Sequence, residues 1–142
     1  MNGNAELLNF IYQNSQMGVE TINQLLEMLE DGKFKDCLKA QLDGYELICT
    51  TAKTMLGGHG YDEKGIGTMD KMKTYLMINL QTLVDRSSAH IAEMLITGSN
   101  MGIVDGTKKL KEYAGAESSI KELMEKLIRF EENNIEKLKS FL

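Results

Sequence analysis

Two histidines, two cysteines and twenty-one carboxylates are the side chains from which this 142-residue chain could build a reactive or ligating site. His59 lies in a glycine-rich stretch near Asp62 and Glu63, and His90 stands one helical turn before Glu93, spacings able to hold a weak adventitious cation. Two donors do not make a structural metal site, and a solvated histidine is the plainer reading of each. Cys37 and Cys49 fall on one expected helix, twelve residues and about 18 Å apart along its axis, so they cannot pair with each other. They read as small buried hydrophobes in a reducing compartment. Gly57-Gly58-His59-Gly60 follows a helix, whereas phosphate-binding loops follow a strand and open a helix, so it reads as a connector. With no Ser-His-Asp arrangement or dinucleotide fingerprint either, no catalytic residue is nominated, and no cofactor is expected.

Glycine placement is the sharper signal. Gly98, Gly102 and Gly106 recur every fourth residue, and Ser99 beside them repeats the relation of Ser15 to Gly18. Each glycine in a helix interior costs about 1 kcal/mol relative to alanine, so three in one short stretch need a local reason. The favoured reason is close approach of the helix that carries Asn14, Ser15, Gly18 and Thr21. The alternative is a ligand pocket lined by Asn14, Ser15, Thr21, Gly98, Ser99, Gly102, Asp105 and Asn134.

The elements that must position these residues follow from composition and periodicity. The chain has no proline and no tryptophan, only four Phe and five Tyr, and abundant Leu, Lys, Glu, Met and Ala, which point to an all-α single domain. Apolar residues at three- and four-residue steps predict helices over 5–30, 33–57, 68–84, 88–113 and 117–141. Asp31-Gly32 and Ala114-Gly115-Ala116 supply two stops; five glycines between Gly57 and Gly67 require a loop; Thr68 is a passable N-cap for the third helix. Without a break that helix would reach Tyr113 and about 69 Å, so an interruption is expected at Asp85-Arg86-Ser87-Ser88, where either serine can cap a new helix. Ten methionines, five of them (Met69, Met72, Met77, Met94, Met101) in helices three and four, read as core filler before adaptable surface.

An internal repeat organises these helices. Ser15-Gln16-Met17-Gly18-Val19 matches Ser99-Asn100-Met101-Gly102-Ile103 at an offset of 84, and Leu42-Asp43-Gly44-Tyr45-Glu46 matches Leu127-Ile128-Arg129-Phe130-Glu131 at 85. The repeated unit is a helical hairpin, 5–57 and 88–142, with 58–87 as connector. Two hairpins joined by a long connection resemble the ferritin-like four-helix bundle, and in particular its small bacterial members that lack metal ligands.

That resemblance implies a Glu from each of two helices and a Glu-x-x-His from each of the others around two cations. This chain departs from it: Glu46-Leu47-Ile48-Cys49 and Glu131-Glu132-Asn133-Asn134 lack the imidazoles, and Glu20 and Asp105 do not match in the repeat. Related small domains carry Met-Ile-x-His-His in the first helix of such a hairpin, where Gly98 and Ser99 stand in Leu95-Ile96-Thr97-Gly98-Ser99. Glu46, Cys49, Glu131 and Asn134 are the metal candidates that remain. The expected role is a non-enzymatic interaction or small-ligand-binding bundle, the alternative a degenerate ferritin-like metal-binding or oxidase-type protein. A net charge of −5 disfavours nucleic acid, and no apolar run is long enough for a membrane span. The first residues lack a basic-then-apolar signal, and a cytoplasmic location is expected. Leu47, Ile48, Met77 and Ile135, at the edges of their helices' stripes, are expected to be exposed and to favour a homo-oligomer or a protein partner.

Overall fold

The computed structural model describes residues 2–63 and 70–142. Five helices follow in order: α1 (Asn4–Met28), α2 (Lys33–Gly58), α3 (Asp70–Gln81), α4 (Ser88–Glu112) and α5 (Ser118–Lys139), with no strand among the described residues. The chain is all-α, as its periodicity predicts. The Thr68 cap, Met69 and the glycines at 65 and 67 lie outside the described residues.

Local chemistry sets the ends. α3 stops at Gln81 rather than 84, and Val84 is 92% exposed on the non-helical run that follows. There Asp85 Oδ1 accepts from the Ser87 backbone N–H at 2.9 Å, and Ser87 Oγ accepts from the His90 N–H, so Ser87 is the cap that opens α4. α5 has no side-chain cap of its own. Its Glu117 N–H instead donates to Asn4 Oδ1 at 2.9 Å, and Asn4 is buried. Gly3, the α1 cap, sits at φ 84°, and a Cβ there would run into the Tyr113 side chain.

These contacts fix the helix directions. The start of α1 meets the end of α4 through Gly3 and Tyr113, and the start of α5 through Asn4 and Glu117. The end of α2 joins the same pole, where His59 Nε2 lies 3.0 Å from Glu117 Oε2. At the opposite pole Phe34, opening α2, packs edge-on against Phe141 with ring centroids 5.0 Å apart. The first two helices therefore pair antiparallel, as do the last two, and the connector with α3 carries the chain between the poles. Leu7, Leu8, Ile11, Leu25, Leu38, Leu56, Ile91, Ile120 and Leu127, all fully buried, form the shared core. Met72 and Met94 are buried and Met77 is 44% exposed, so most of the described methionines of α3 and α4 serve as core.

Seven of the eight buried positions of α4 and six of the eight of α5 match buried positions of the first hairpin, whereas half of the buried positions of α1 have no buried counterpart. Leu7, Leu8, Phe10, Ile11, Asn14, Ser15 and Ile22 of α1 stand 84 residues before Ile91, Ala92, Met94, Leu95, Gly98, Ser99 and Gly106 of α4. Phe34, Leu38, Gln41, Tyr45, Ile48 and Ala52 of α2 stand 86 residues before Ile120, Met124, Leu127, Glu131, Asn134 and Leu138 of α5. The second offset is one residue longer than the sequence match implies, so Tyr45 corresponds in burial to Glu131 rather than to Phe130.

Candidate functional site

Tyr45 and Glu131 meet each other at the centre of the molecule. Glu131 is 1% exposed and is the only charged side chain buried among the described residues. Its Oε2 accepts from the Tyr45 hydroxyl at 2.8 Å, and its Oε1 accepts from Asn14 Nδ2 at 2.9 Å. Three helices thus converge on one carboxyl group. Burial raises its pKa from 4.5 to about 7, against the two hydrogen bonds, which favour the carboxylate. Burial and the adjoining Glu131 hold the Tyr45 hydroxyl well above its usual range, opposed by the nearby Ser99 and Asn134 side chains.

Glycines make room for this cluster. A Cβ on Gly102 would lie 2.8 Å from both Asn14 Nδ2 and Glu131 Oε1; one on Gly18 would lie 2.7 Å from the Tyr45 ring. Each hairpin therefore places a glycine of its first helix against the central side chain of its second. Gly98 faces Leu76 of α3 at 3.0 Å, and Gly106 faces Met124, Ile128 and Phe10. The atoms nearest the helical stripe are side chains, so its glycines seat neighbouring side chains rather than a neighbouring backbone. Gly44 does the same for Phe130, whose ring would overlap a Cβ there and packs edge-on to Tyr45 with ring centroids 4.9 Å apart.

Of the residues singled out as pocket-lining, Asn14, Thr21, Gly98 and Ser99 do border a cavity, of about 20 Å³, together with Tyr45 and Glu131. That is room for roughly one water. Gly102 lies against Asn14 and Glu131. Ser15 is buried but turns to its own helix, donating from Oγ to Ile11 O at 2.6 Å. Asp105 is half-buried and takes no part in the cluster. Asn134 is 3% exposed; its Nδ2 has no hydrogen-bond partner.

The metal candidates separate. Glu46 is exposed, one residue beyond the buried Tyr45, while Glu131 is buried with both oxygens engaged by donors. Among the described residues, no three His, Cys, Asp or Glu side chains gather closely enough to hold a metal ion. Cys49 and Cys37 are half-buried rather than fully buried, because both lie at the edge of the α2 stripe. Burial raises both thiol pKa values, which disfavours the nucleophilic thiolate. Ile48 and Ile135, expected on the surface, are 2% and 8% exposed; Leu47 and Met77 are exposed at 60% and 44%. Ile48 and Ile135 are covered because α2 and α5 bury wider faces than a narrow stripe implies. His59 is tied down at both nitrogens, Nδ1 to Met55 O at 2.9 Å and Nε2 to Glu117, and that carboxylate raises its pKa.

A larger groove runs between α1 and α3, with a volume of about 540 Å³. Met17, Leu76, Met77 and Leu80 give it an apolar wall; Gln16, Glu20, Glu63 and Lys73 give it polar groups. Gln16 Oε1 is buried there without a hydrogen-bond partner. Sequence reasoning missed Gln16, which reads as an ordinary polar residue between apolar neighbours, and placed Tyr45 only as a core aromatic. Met17, Thr21 and Leu76 border both this groove and the small cavity beside Glu131. No family model, no curated protein and no solved structure matches the chain. No described helix is long and apolar enough to cross a membrane.

Proposed function

We propose that this protein is a non-enzymatic small-ligand-binding bundle of ferritin-like topology, built from a duplicated hairpin, and that its ligand lies in the groove between α1 and α3. The observation that carries the reading is the groove itself. Its volume of about 540 Å³ falls in the range typical of small-molecule sites, and it sets polar side chains such as Gln16, Thr21 and Gln24 beside an apolar wall. Coincident burial at offsets of 84 and 86, with a glycine seating the central side chain in each hairpin, supports duplication. Helix directions and a long crossover support the ferritin-like comparison. A carboxyl fully occupied by Tyr45 and Asn14 favours a binding protein over a degenerate di-metal oxidase.

The chain has no tryptophan, so a Met77→Trp variant places one reporter at the groove. Titration with 1-hexanol, hexylammonium or hexanoate should give a saturable blue shift with at least one, weakened by Leu80→Glu. No saturable shift with any of the three would refute the reading. Exposed Leu47, Ile78 and Val104 supply apolar surface for a second copy, and light scattering that found only monomer at tens of micromolar would remove self-association from the proposal.

A further inference from the structure

We infer that α3 is a movable cover over the Glu131 carboxyl, closed while that group keeps its proton and lifted when it ionises. The helices around this carboxyl treat it unequally. α1 and α2 give it donors, Asn14 Nδ2 at 2.9 Å and the Tyr45 hydroxyl at 2.8 Å, and α4 sets Gly102 against it. α3 brings only Met72 and Leu76 to the adjoining cavity, both buried, with Leu76 seated on Gly98. Its hold there is therefore apolar. Among the described residues, no side-chain hydrogen bond or ion pair ties 71–81 to another helix: Asn79 Nδ2 donates to Tyr75 O within α3, and the helix ends in the non-helical run where Val84 is exposed. At 12 residues α3 is too short to persist without packing, which makes it the element that opens at least cost.

Among the described residues Tyr45 is the other titratable group on the cavity, and burial beside Glu131 holds its hydroxyl well above the usual range, so Glu131 is the group there that exchanges a proton near neutrality. Asn14 and Thr21 face the site from α1, Gln41 from α2, Ser99 from α4 and Asn134 from α5, none of which ionises. Of the α3 lysines, Lys71 is exposed and Lys73 lines the outer groove. A buried carboxylate needs hydration beyond two hydrogen bonds, and the closed cavity of about 20 Å³ holds roughly one water. Lifting α3 admits more while leaving both hydrogen bonds intact, because the donors sit on other helices. Leu76 also borders the groove between α1 and α3, so the same movement removes part of its wall.

Amide hydrogen exchange at pH 5.5 and 8, corrected for the intrinsic rate, reads the cover directly. Amides of 71–81 should exchange faster than those of 91–102 at both pH values, and their corrected rate should rise at least about tenfold between the two, because opening favours the ionised carboxyl. Glu131→Gln should remove that rise. Leu76→Ala leaves the hydrogen-bonded cluster in place but thins the cover, so it should admit water and lower the Glu131 titration midpoint, followed by carboxyl-carbon NMR, by about half a pH unit or more. An equal rate and an equal rise in 71–81 and 91–102 would put the response in unfolding of the whole chain and overturn the cover. A rise that persists in Glu131→Gln, or a Glu131 midpoint unmoved by Leu76→Ala, would overturn it as well.

Discussion

Glu131→Gln should convert a pH-dependent stability into one that no longer senses this site. In the folded chain the Glu131 carboxyl titrates near 7, whereas unfolded it titrates at the ordinary 4.5, the difference arising from burial. Below pH 4.5 both states hold the proton and the group adds no penalty. Between 4.5 and about 7 the unfolded chain releases the proton while the folded one retains it, so stability falls as pH rises; above 7 the full penalty is present. At about 1.4 kcal/mol for each pH unit, the loss slightly exceeds about 3 kcal/mol by pH 8. Glutamine cannot ionise, but its Nε2 accepts no hydrogen bond, whereas the hydroxyl oxygen of the protonated carboxyl still can, so either Asn14 or Tyr45 loses its acceptor. The variant should therefore be about 1 kcal/mol less stable than the parent at pH 5 and equal or more stable at pH 8. Urea melts of both proteins from pH 5 to 8.5 provide the assay, with the slope in denaturant checked for constancy. Subtracting the two curves removes other titrating groups, such as His59, and leaves Glu131. Parallel stability curves, with a constant difference across that range, would refute the argument that a desolvated carboxyl sits at the centre.

Three further outcomes follow from the packing. Gly102→Leu should cost more than about 2 kcal/mol, because its side chain must displace Asn14 and Glu131, while Gly32→Ala, with nothing within 4 Å of its Cβ, should stay within about 0.5 kcal/mol in the same urea melts. Gly44→Ala improves helix propensity yet should destabilise by about 1–2 kcal/mol, since the Phe130 ring must leave its place against Gly44 and Tyr45; thermal melts showing a gain would refute that seat. The His59 pKa is raised, with the Glu117 carboxylate as the first cause, so NMR titration of Glu117→Gln should show a lower His59 midpoint. The stability from that pair is present at acid pH and lost as pH rises through the folded-state pKa of His59.

Local sequence determined the helices. A 3.6-residue apolar rhythm, glycine-marked ends and the Ser87 cap act within a few residues of themselves, and each expected helix is present to within three residues at every described end. Thr21, Ser99, Asn14 and Asn134 were legible as polar residues on apolar faces, and all four are buried. Tertiary structure decided what surrounds them. Glu46 and Glu131 occupy matching places in the sequence repeat, yet one is solvated and the other is the buried acceptor at the centre of the bundle. The difference is a one-residue shift in how the second helices settle, about 100° of rotation, which no property of either helix alone specifies. The donors that make burial of Glu131 tolerable lie 86 and 117 residues away, on Tyr45 and Asn14. The helical glycines behave likewise: their spacing announced that space was needed, but only packing chose its occupants, a ring at Gly18, a carboxyl and an amide at Gly102, and a leucine at Gly98. Periodicity reports which face of a helix turns inward; what meets that face depends on contacts between segments far apart in the chain.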